Sequence, residues 1–410
     1  MKENIFELTT MQLKGVAENL QTKIEEGLCK ENQEILCIPT HITASENIKD
    51  EKVLALDWGG TNFRAAIVEV KNGEPKIIEE LPKFDENGKK NSYRLSKDET
   101  VGFTGEKLCK QMAEWIARLE KLDASVTKIG YCFSYPAASR LNGDAILLRW
   151  PKGIDIPDMI NKSVGEMLLG YLNNHKGINT EFKEIKVIND TVACLFAGLK
   201  TKGYDAYIGL IVGTGTNMAA LMPRNEIEKL KSNSAENIPV NLESGNFNPP
   251  YLTVIDGLVD AMSNNKSNQR FEKAVSGGYL GEIFKTVFSD KKIKYDFDGG
   301  DLAGLMDKPQ SNPEDQVNIA NWIYARSAKL VAASIVGLVN VLVAQNPKMK
   351  NICLAADGSV IWGMNAAGKN PHKDIVEKEL AILLPEGVKV TIIDEMKNPN
   401  LEGAAIAALS

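Results

Sequence analysis

Short apolar runs of strand length alternate along the chain with stretches of helical periodicity. The strand-like runs are residues 53–58, 128–133, 185–188, 206–212 and 352–356. The predicted helices are residues 10–28, a segment opening near Thr104 with Leu108, Met112, Trp115, Ile116 and Leu119 on one face, and residues 191–199. This alternation favours an α/β architecture.

Two of the strand runs end in turns rich in glycine and threonine and then return as a second apolar strand. The first turn is Asp57-Trp58-Gly59-Gly60-Thr61-Asn62, and the second is Gly213-Thr214-Gly215-Thr216-Asn217. Glycines let the backbone approach a ligand without a Cβ in the way, and free N–H groups with the Thr61 hydroxyl can donate to phosphate oxygens. A plain β-hairpin is the alternative interpretation. The shared form predicts a duplicated hairpin in two related domains.

Length and charge narrow the class of protein. The chain has 410 residues, which predicts two domains, and a net charge of −6, with no basic stripe that would bind nucleic acid. Its most apolar run, residues 330–344, is shorter than a membrane span and contains Ser334 and Asn340, so we expect a buried helix and no membrane partner. Because residues 1–7 lack a signal-peptide core, a cytoplasmic location is expected.

The positions of cysteine and histidine argue against disulfide bonds, a zinc site and a histidine-based triad. The six cysteines form no Cys-x-x-Cys pair and lie mostly in apolar runs, which predicts reduced core thiols. None of the three histidines has a cysteine or histidine partner at ligand spacing. We therefore expect neither a zinc site nor a histidine-based triad.

Asp190 follows an apolar strand and Asn189, so it is expected at the carboxyl end of a strand, where open α/β sheets bind ligands. A carboxylate there can accept a proton from an attacking alcohol. Alternatively, Asp190 or Thr191 caps the helix that follows, and local sequence alone favours that cap. Asp57, at the end of the first strand, is a candidate to hold Mg²⁺ through water.

A further set of hydroxyl, amine, amide and carboxylate side chains suits the binding of a polyol. Taken singly, each fits a surface or capping role equally well, but together they match the groups that discriminate sugar hydroxyls. These residues are Ser134, Lys152, Asn217, Glu243 and Glu272.

Over nearly its whole length the chain resembles the hexokinases of the actin-like ATPase superfamily. The segments that carry the resemblance follow one another in the family's order. They are residues 56–64 and 209–217 (two phosphate motifs), 133–136 and 150–153 (two sugar-contacting segments), 189–192 (the base), 243–247 and 271–273 (two glutamates), and 276–282.

The resemblance implies a site with residues for a sugar and for a nucleotide. Asp190 becomes the expected general base toward the 6-hydroxyl of a hexose. The implied sugar-binding residues are Ser134, Pro151, Lys152, Asn189, Asp190, Asn217, Glu243 and Glu272. Those implied for ATP are Asp57, Gly59, Gly60, Thr61, Asn62, Arg64, Gly213, Thr214, Gly215, Gly358 and Ser359, with Asp57 also near Mg²⁺.

The implied fold is a two-domain, actin-like (ribonuclease-H-like) α/β ATPase fold with a sugar and ATP cleft between the domains. Residues 1–52 and 189–392 would form the large domain, and residues 53–188 and 393–410 the small one. The implied activity is ATP-dependent phosphorylation of a hexose, expected to be D-glucose, at the 6-hydroxyl. A sugar-binding sensor and a kinase for another hexose remain alternatives. Monomer and homodimer both stay open.

Several positions depart from the family pattern. Pro151 replaces a threonine, which removes a hydroxyl and an N–H and predicts weaker sugar affinity. Ser244 replaces a tryptophan and Trp58 a leucine, changes of packing near the site. Asn264-Asn265-Lys266-Ser267 replaces an Asn-Pro-Gly turn before Glu272. Residues 361–369 and 394–405 also differ, which is expected to alter adenine and hinge contacts more than the chemistry.

Overall fold

A computed structural model of the chain describes residues 4–43, 48–59, 62–83, 92–150, 154–291 and 293–410. Four predicted site residues, Gly60, Thr61, Pro151 and Lys152, lie outside these ranges. The helices are α1 Thr10–Cys29, α2 Gly105–Ile116, α3 Val164–Asn173, α4 Asp190–Gly198, α5 Val254–Met262, α6 Arg270–Val275, α7 Gly277–Val287, α8 Gly299–Asp307, α9 Glu314–Gln345, α10 Pro371–Leu383 and α11 Pro399–Ala408.

The strands of the described residues form two main sheets and one small hairpin. They are β1 Ile38–Pro39, β2 Glu51–Trp58, β3 Phe63–Lys71, β4 Glu74–Leu81, β5 Lys128–Phe133, β6 Ala137–Ser139, β7 Ala145–Leu147, β8 Glu184–Ile188, β9 Ala206–Val212, β10 Thr216–Pro223, β11 Asn237–Asn241, β12 Asn351–Asp357 and β13 Lys389–Ile392. The predicted alternation of strands and helices is confirmed.

The two main sheets share one topology. One has the order β4-β3-β2-β5-β8, and the other has the order β11-β10-β9-β12-β13 with β1 added at its edge. In each, three antiparallel strands joined in sequence are followed by two parallel strands. The hairpins that carry the two glycine turns occupy equivalent positions, β2–β3 and β9–β10. The predicted duplication of this hairpin is therefore confirmed.

Helices α4 and α11 pack closely between the two main sheets. Helix α4 packs on β9 and β12, α11 packs on β2 and β5, and the two helices pack on each other. Glycines make this approach possible: a Cβ on Gly130 of β5 would lie 1.8 Å from the Ala404 oxygen, and one on Gly403 would lie 1.9 Å from the Ala193 oxygen. The element that begins with Asp190 is thus held against both sheets.

Helix α9 is the central helix of the larger core. Over its best 18-residue window the mean hydropathy is 1.9, enough by length and composition to cross a membrane, but 78% of that window is buried inside the protein. It packs against α1 and α10. The prediction of a buried helix over residues 330–344 is confirmed.

The cysteines behave as core thiols. All six are free; Cys37, Cys109, Cys132, Cys194 and Cys353 are buried, and Cys29 is partly exposed. Burial raises the pKa of the Cys37 thiol to about 12, which keeps it protonated. The division into a large and a small domain stays a prediction, although the strands of the two sheets come from its two parts.

Candidate active site

The second glycine turn lies directly against the chain that leaves β12. A Cβ on Gly213 would lie 3.3 Å from the Gly358 Cα and 3.4 Å from the Ser359 nitrogen. Gly358 has φ +120°, and a Cβ there would lie 2.4 Å from the Val212 carbonyl. The N–H groups of Val360 and Ile361 then donate to the Val212 oxygen at 3.0 and 3.2 Å. Only glycine permits this contact of two turns.

Helix α7 supports the same turn from the other side. The Gly277 and Gly278 N–H groups donate to the Gly213 and Thr214 carbonyl oxygens at 2.7 and 3.2 Å. Gly215 faces the sugar-side residue Glu272, whose Oε2 would lie 2.6 Å from a Cβ at that glycine. The structure therefore brings together Gly213, Thr214, Gly215, Gly358 and Ser359, as predicted, although their nucleotide-binding role remains a prediction.

The first glycine turn is anchored by an ion-pair network. Arg64 lies 3.5 Å from the Asp57 carboxylate and 3.1 Å from the Glu80 carboxylate, and it also donates to Asn398. Asn400 donates to Asp57 Oδ1 at 3.3 Å. Arg64, implied for ATP by the resemblance, is thus paired with two carboxylates.

The neighbours of that turn connect it to β5 and to the loop before α2. A Cβ on Gly59 would lie 3.0 Å from the Ser134 hydroxyl. Asn62 accepts a hydrogen bond from the Ser92 hydroxyl at 3.1 Å and forms an isolated bridge with Arg94. The first phosphate motif therefore touches the first sugar-contacting segment at Ser134.

Three carboxylates interact where the two sheets meet. Burial raises the pKa of Asp57 to about 6, the Arg64 charge opposes this rise, and the Asp190 charge adds to it. Burial likewise raises the pKa of Asp357, again with a contribution from Asp190. Positive charge beside Asp57 or Asp357 would favour the ionised carboxylate. However, no group of three metal-ligating side chains occurs among the described residues, so Mg²⁺ would need water and phosphate ligands here.

Asp190 is the first residue of α4 rather than its cap. Asn189 is the N-cap, and its Oδ1 accepts from the Thr191 N–H at 2.9 Å. Asp190 Oδ1 accepts from the same N–H at 2.8 Å. The interpretation of Asp190 or Thr191 as the cap is therefore wrong, because the preceding asparagine already supplies the capping oxygen. Asp190 is only partly buried, in the first turn of the helix.

Asn217, Glu243 and Glu272 lie together beside β10. Glu272 Oε2 accepts from the Thr216 N–H at 3.1 Å. Asn217 donates to Asn241 Oδ1 at 2.7 Å, and Asn241 donates to Glu243 Oε1 at 2.9 Å. Asn241, which sequence reasoning missed, thus links two predicted sugar residues. Its position two residues before Glu243 at the end of a strand was the available signal.

Ser134 and Asn189 directly follow two strands of the other sheet, β5 and β8. Ser134 is buried, and its N–H donates to the Trp58 oxygen at 3.1 Å. A narrow cavity between the sheets is lined by Thr40, Tyr135, Asn189 and Asn241, among others. Asn189, after the last strand of one sheet, and Asn241, at the end of a strand of the other, therefore line one cavity between the sheets.

Trp58 packs in an aromatic cluster behind the first turn, in agreement with its predicted packing role. Its ring centroid lies 5.8 Å from that of Phe133, 4.9 Å from Tyr135 and 5.6 Å from Trp150. Trp150 is the first residue of the second sugar-contacting segment, which also contains Pro151 and Lys152. The cluster therefore connects the two sequence motifs through their apolar flanks.

Comparison with known proteins identifies the family. Two hexokinase family models match residues 2–199 and residues 207–311 with 314–410. Hexokinase-1 of Saccharomyces cerevisiae is 28% identical over 409 residues, which cover 87% of this chain and 80% of the yeast protein. Hexokinase-2 of Rattus norvegicus is 31% identical over 300 residues, covering 70% of this chain but 31% of the rat protein. The chain thus matches about a third of the length of such mammalian relatives.

Solved structures give the same result for the fold. A hexokinase from Schistosoma mansoni complexed with glucose superposes with a TM-score of 0.79 at 23% identity, over 98% of this chain and 96% of that one. A ROK hexokinase from Thermus thermophilus gives 0.55 at 16% identity, over 87% and 97%. The predicted actin-like fold is confirmed. With family models covering nearly all of it, the chain belongs to the hexokinase family.

Proposed function

We propose that this protein is an ATP-dependent hexose kinase that phosphorylates the 6-hydroxyl, with D-glucose the expected substrate. The observation that carries the proposal is the position of Asp190. It begins α4 at the carboxyl end of β8, and its charge acts on both Asp57 and Asp357. Asp57 begins the first glycine turn and Asp357 precedes Gly358, so these interactions support a role for Asp190 near both turns.

Asp190 is proposed as the general base. Its carboxylate accepts the proton of the sugar hydroxyl as that oxygen attacks the γ-phosphorus of ATP. The new O–P bond forms while the bond from the γ-phosphorus to the bridging oxygen breaks, and ADP leaves with the electron pair. Its partial exposure would leave the carboxylate accessible to the sugar hydroxyl.

The sugar would be held by groups from both sheets. Glu243 and Glu272 offer carboxylate oxygens to sugar hydroxyls, Asn217 and Asn189 offer amides, and Ser134 offers a hydroxyl. Lys152 and Pro151 complete the proposed set by sequence alone. The links Asn217–Asn241–Glu243 and Thr216–Glu272 fix these side chains before a ligand arrives, which lowers the entropy lost on binding.

The glycine turns would hold ATP, with Asp57 toward Mg²⁺. The ion supplies charge neutralisation at the phosphates when it is bound. Burial raises the pKa of Asp57 even though Arg64 lies 3.5 Å away, so a further cation would favour the ionised carboxylate and suit this proposed role. Gly213 and Gly358 let these two turns pack against each other, and backbone N–H groups of such glycine-rich turns would donate to phosphate oxygens.

A sugar-binding sensor is the second candidate function, favoured by Pro151 and by the altered segments after Ser359. The two functions separate in one experiment. ADP release from MgATP is measured with glucose, fructose, mannose and glucosamine, alongside calorimetric glucose binding. A kinase releases ADP with at least one hexose and the ranking identifies the substrate, whereas glucose binding without ADP release from any sugar contradicts the proposal.

A further inference from the structure

Helix α5 turns one apolar stripe to solvent, whereas two other apolar residues, Val259 and Ile255, pack on the core. Its two acidic residues, Asp256 and Asp260, are 5% and 6% exposed, whereas Val254 is 76%, Leu258 48% and Met262 67% exposed. All nine residues of this helix are described, and the other exposed positions are Gly257 and Ala261. A surface helix normally shows the opposite arrangement.

Buried ion pairs fix this orientation of α5. Asp256 lies 2.7 Å from Arg326 of α9, and its carboxylate also caps the helix at Thr253. Asp260 lies 2.7 Å from Lys273 and 3.0 Å from Arg270. Although burial acts to raise the pKa of both acids, these partners outweigh it and hold each pKa below its ordinary value.

Breaking such buried pairs would leave uncompensated charges in the interior. Rotation of α5 to bury its apolar side is therefore strongly disfavoured. The apolar stripe remains on the surface of the folded chain.

The apolar surface continues beyond α5 onto α1. Tyr251 is 52% exposed, and its ring lies over Gly15, where a Cβ would be 3.3 Å from it. Met11, one turn before Gly15 on the same helix face, is 82% exposed. Tyr251 also has φ +67°, a left-handed conformation that is unfavourable for an aromatic residue. We define the α5 patch as Met11, Tyr251, Val254, Leu258 and Met262.

We propose that the α5 patch is the contact face of a homodimer of this chain, in which the α5 helices of two copies cross antiparallel about a two-fold axis. In that arrangement Leu258 lies on the axis and Val254 faces Met262 of the other copy. The small residues Gly257 and Ala261 leave room for the helices to approach, since the space around Gly257 is open. A two-fold contact needs such a self-complementary surface.

Area and charge both fit a second copy as the occupant. The exposed fractions correspond to on the order of 600 Å² of apolar side-chain surface, against the roughly 800 Å² per partner that stable interfaces bury. Exposed Lys14 and Glu18 of α1 flank the patch with opposite charges. Across a two-fold axis, Lys14 of one copy can pair with Glu18 of the other. An anionic membrane or a nucleic acid would instead need a basic rim.

The first test measures the mass of the full chain by sedimentation velocity between about 1 and 100 µM, a range suited to an interface of this size. The wild type is expected to be a dimer, and Leu258→Glu to raise the dissociation constant at least about tenfold, because two charges meet at the axis. Val101→Glu, at an exposed apolar position before α2, is the matched control and stays dimeric. Melting temperatures verify that both variants fold.

A wild type that is monomeric throughout the range overturns the proposal, and so does a Leu258→Glu variant that dimerises normally. The second test locates the axis. In a Cys29→Ser background, Leu258→Cys is expected to form an intermolecular disulfide readily, because only residues near the axis bring equivalent Cβ atoms within about 4.5 Å. Oxidation no faster than that of Val101→Cys contradicts the two-fold arrangement.

Discussion

The side-chain amide of Asn400 donates a hydrogen bond to the carboxylate of Asp57 across 3.3 Å, joining the last helix of the chain to its first glycine turn. Two residues earlier, Asn398 accepts from Arg64, the ion-pair partner of Asp57. The turn that is proposed to meet ATP is therefore held by α11, which also packs against α4 and hence behind Asp190.

Asn400→Ala is expected to destabilise the fold by about 1.5–3 kcal/mol, the range for a hydrogen bond to a charged group. The buried Asp57 carboxylate loses a partner that lowers its pKa. Urea unfolding near neutral pH measures the effect. Asn174→Ala removes an exposed hydrogen bond to the Gly170 oxygen and serves as the control, with an expected change under about 0.5 kcal/mol. Equal effects in the two variants would refute a special role for Asn400.

Asp57→Asn is expected to stabilise the protein at alkaline pH while lowering its proposed activity. The folded chain raises the pKa of Asp57 from 3.8 to about 6, so folding favours the neutral carboxyl. The stability from that neutral form is present below about pH 4 and is lost as the pH rises through about 6. At pH 8 the variant should gain up to about 3 kcal/mol, and near pH 4 the difference should vanish.

A control of opposite sign is available in Asp205. Two backbone N–H groups, those of Asn351 and Lys350, lower the pKa of Asp205, so its ionised form favours folding. Asp205→Asn should therefore destabilise the protein at pH 8. Urea unfolding of both variants across the pH range measures these differences. An Asp57→Asn variant that is less stable than the parent at pH 8 would contradict the assignment.

Because of His372, we expect the free energy of unfolding to fall in acid. Burial lowers the pKa of its ring from 6.5 to about 3, and its Nδ1 has no hydrogen-bond partner among the described residues. The stability from the neutral ring is complete above about pH 6.5 and is lost as the pH falls from there toward 3, by about 1.4 kcal/mol per pH unit. His372→Gln should reduce the slope of unfolding free energy against pH by one proton. An unchanged slope would rule this out.

Much of the fold could be predicted because its central elements carry clear patterns. Strands β5 and β9 have the predicted bounds, and α4 begins directly after its strand, since apolar runs between turn residues leave few alternatives. Strands β4 and β13 were not predicted. Strand β4 contains four charged residues and a proline, and β13 is only four residues long, so neither gives a clear apolar run.

In the candidate site, likewise, some residues could be predicted from the sequence and others could not. Gly213 and Gly358 could be named from their turns, but the contact between them depends on the pairing of β9 with β12. Other site residues have partners that only folding brings near, so their roles cannot be read from sequence spacing. These residues are Asn241, Asn398 and Asn400. In α5 the apolar stripe would be assigned to the core by pattern alone, and buried ion pairs reverse that orientation.

The central claim is that Asp190 is the base of a hexose kinase, and ADP release from MgATP with a hexose tests it most directly. Asp190→Asn keeps the size of the side chain and its hydrogen bond from Thr191, so melting temperature and calorimetric sugar affinity should stay close to those of the parent. Turnover should fall about 10²–10⁴-fold, as expected when a general base is removed. Turnover within about threefold of the parent would contradict the account.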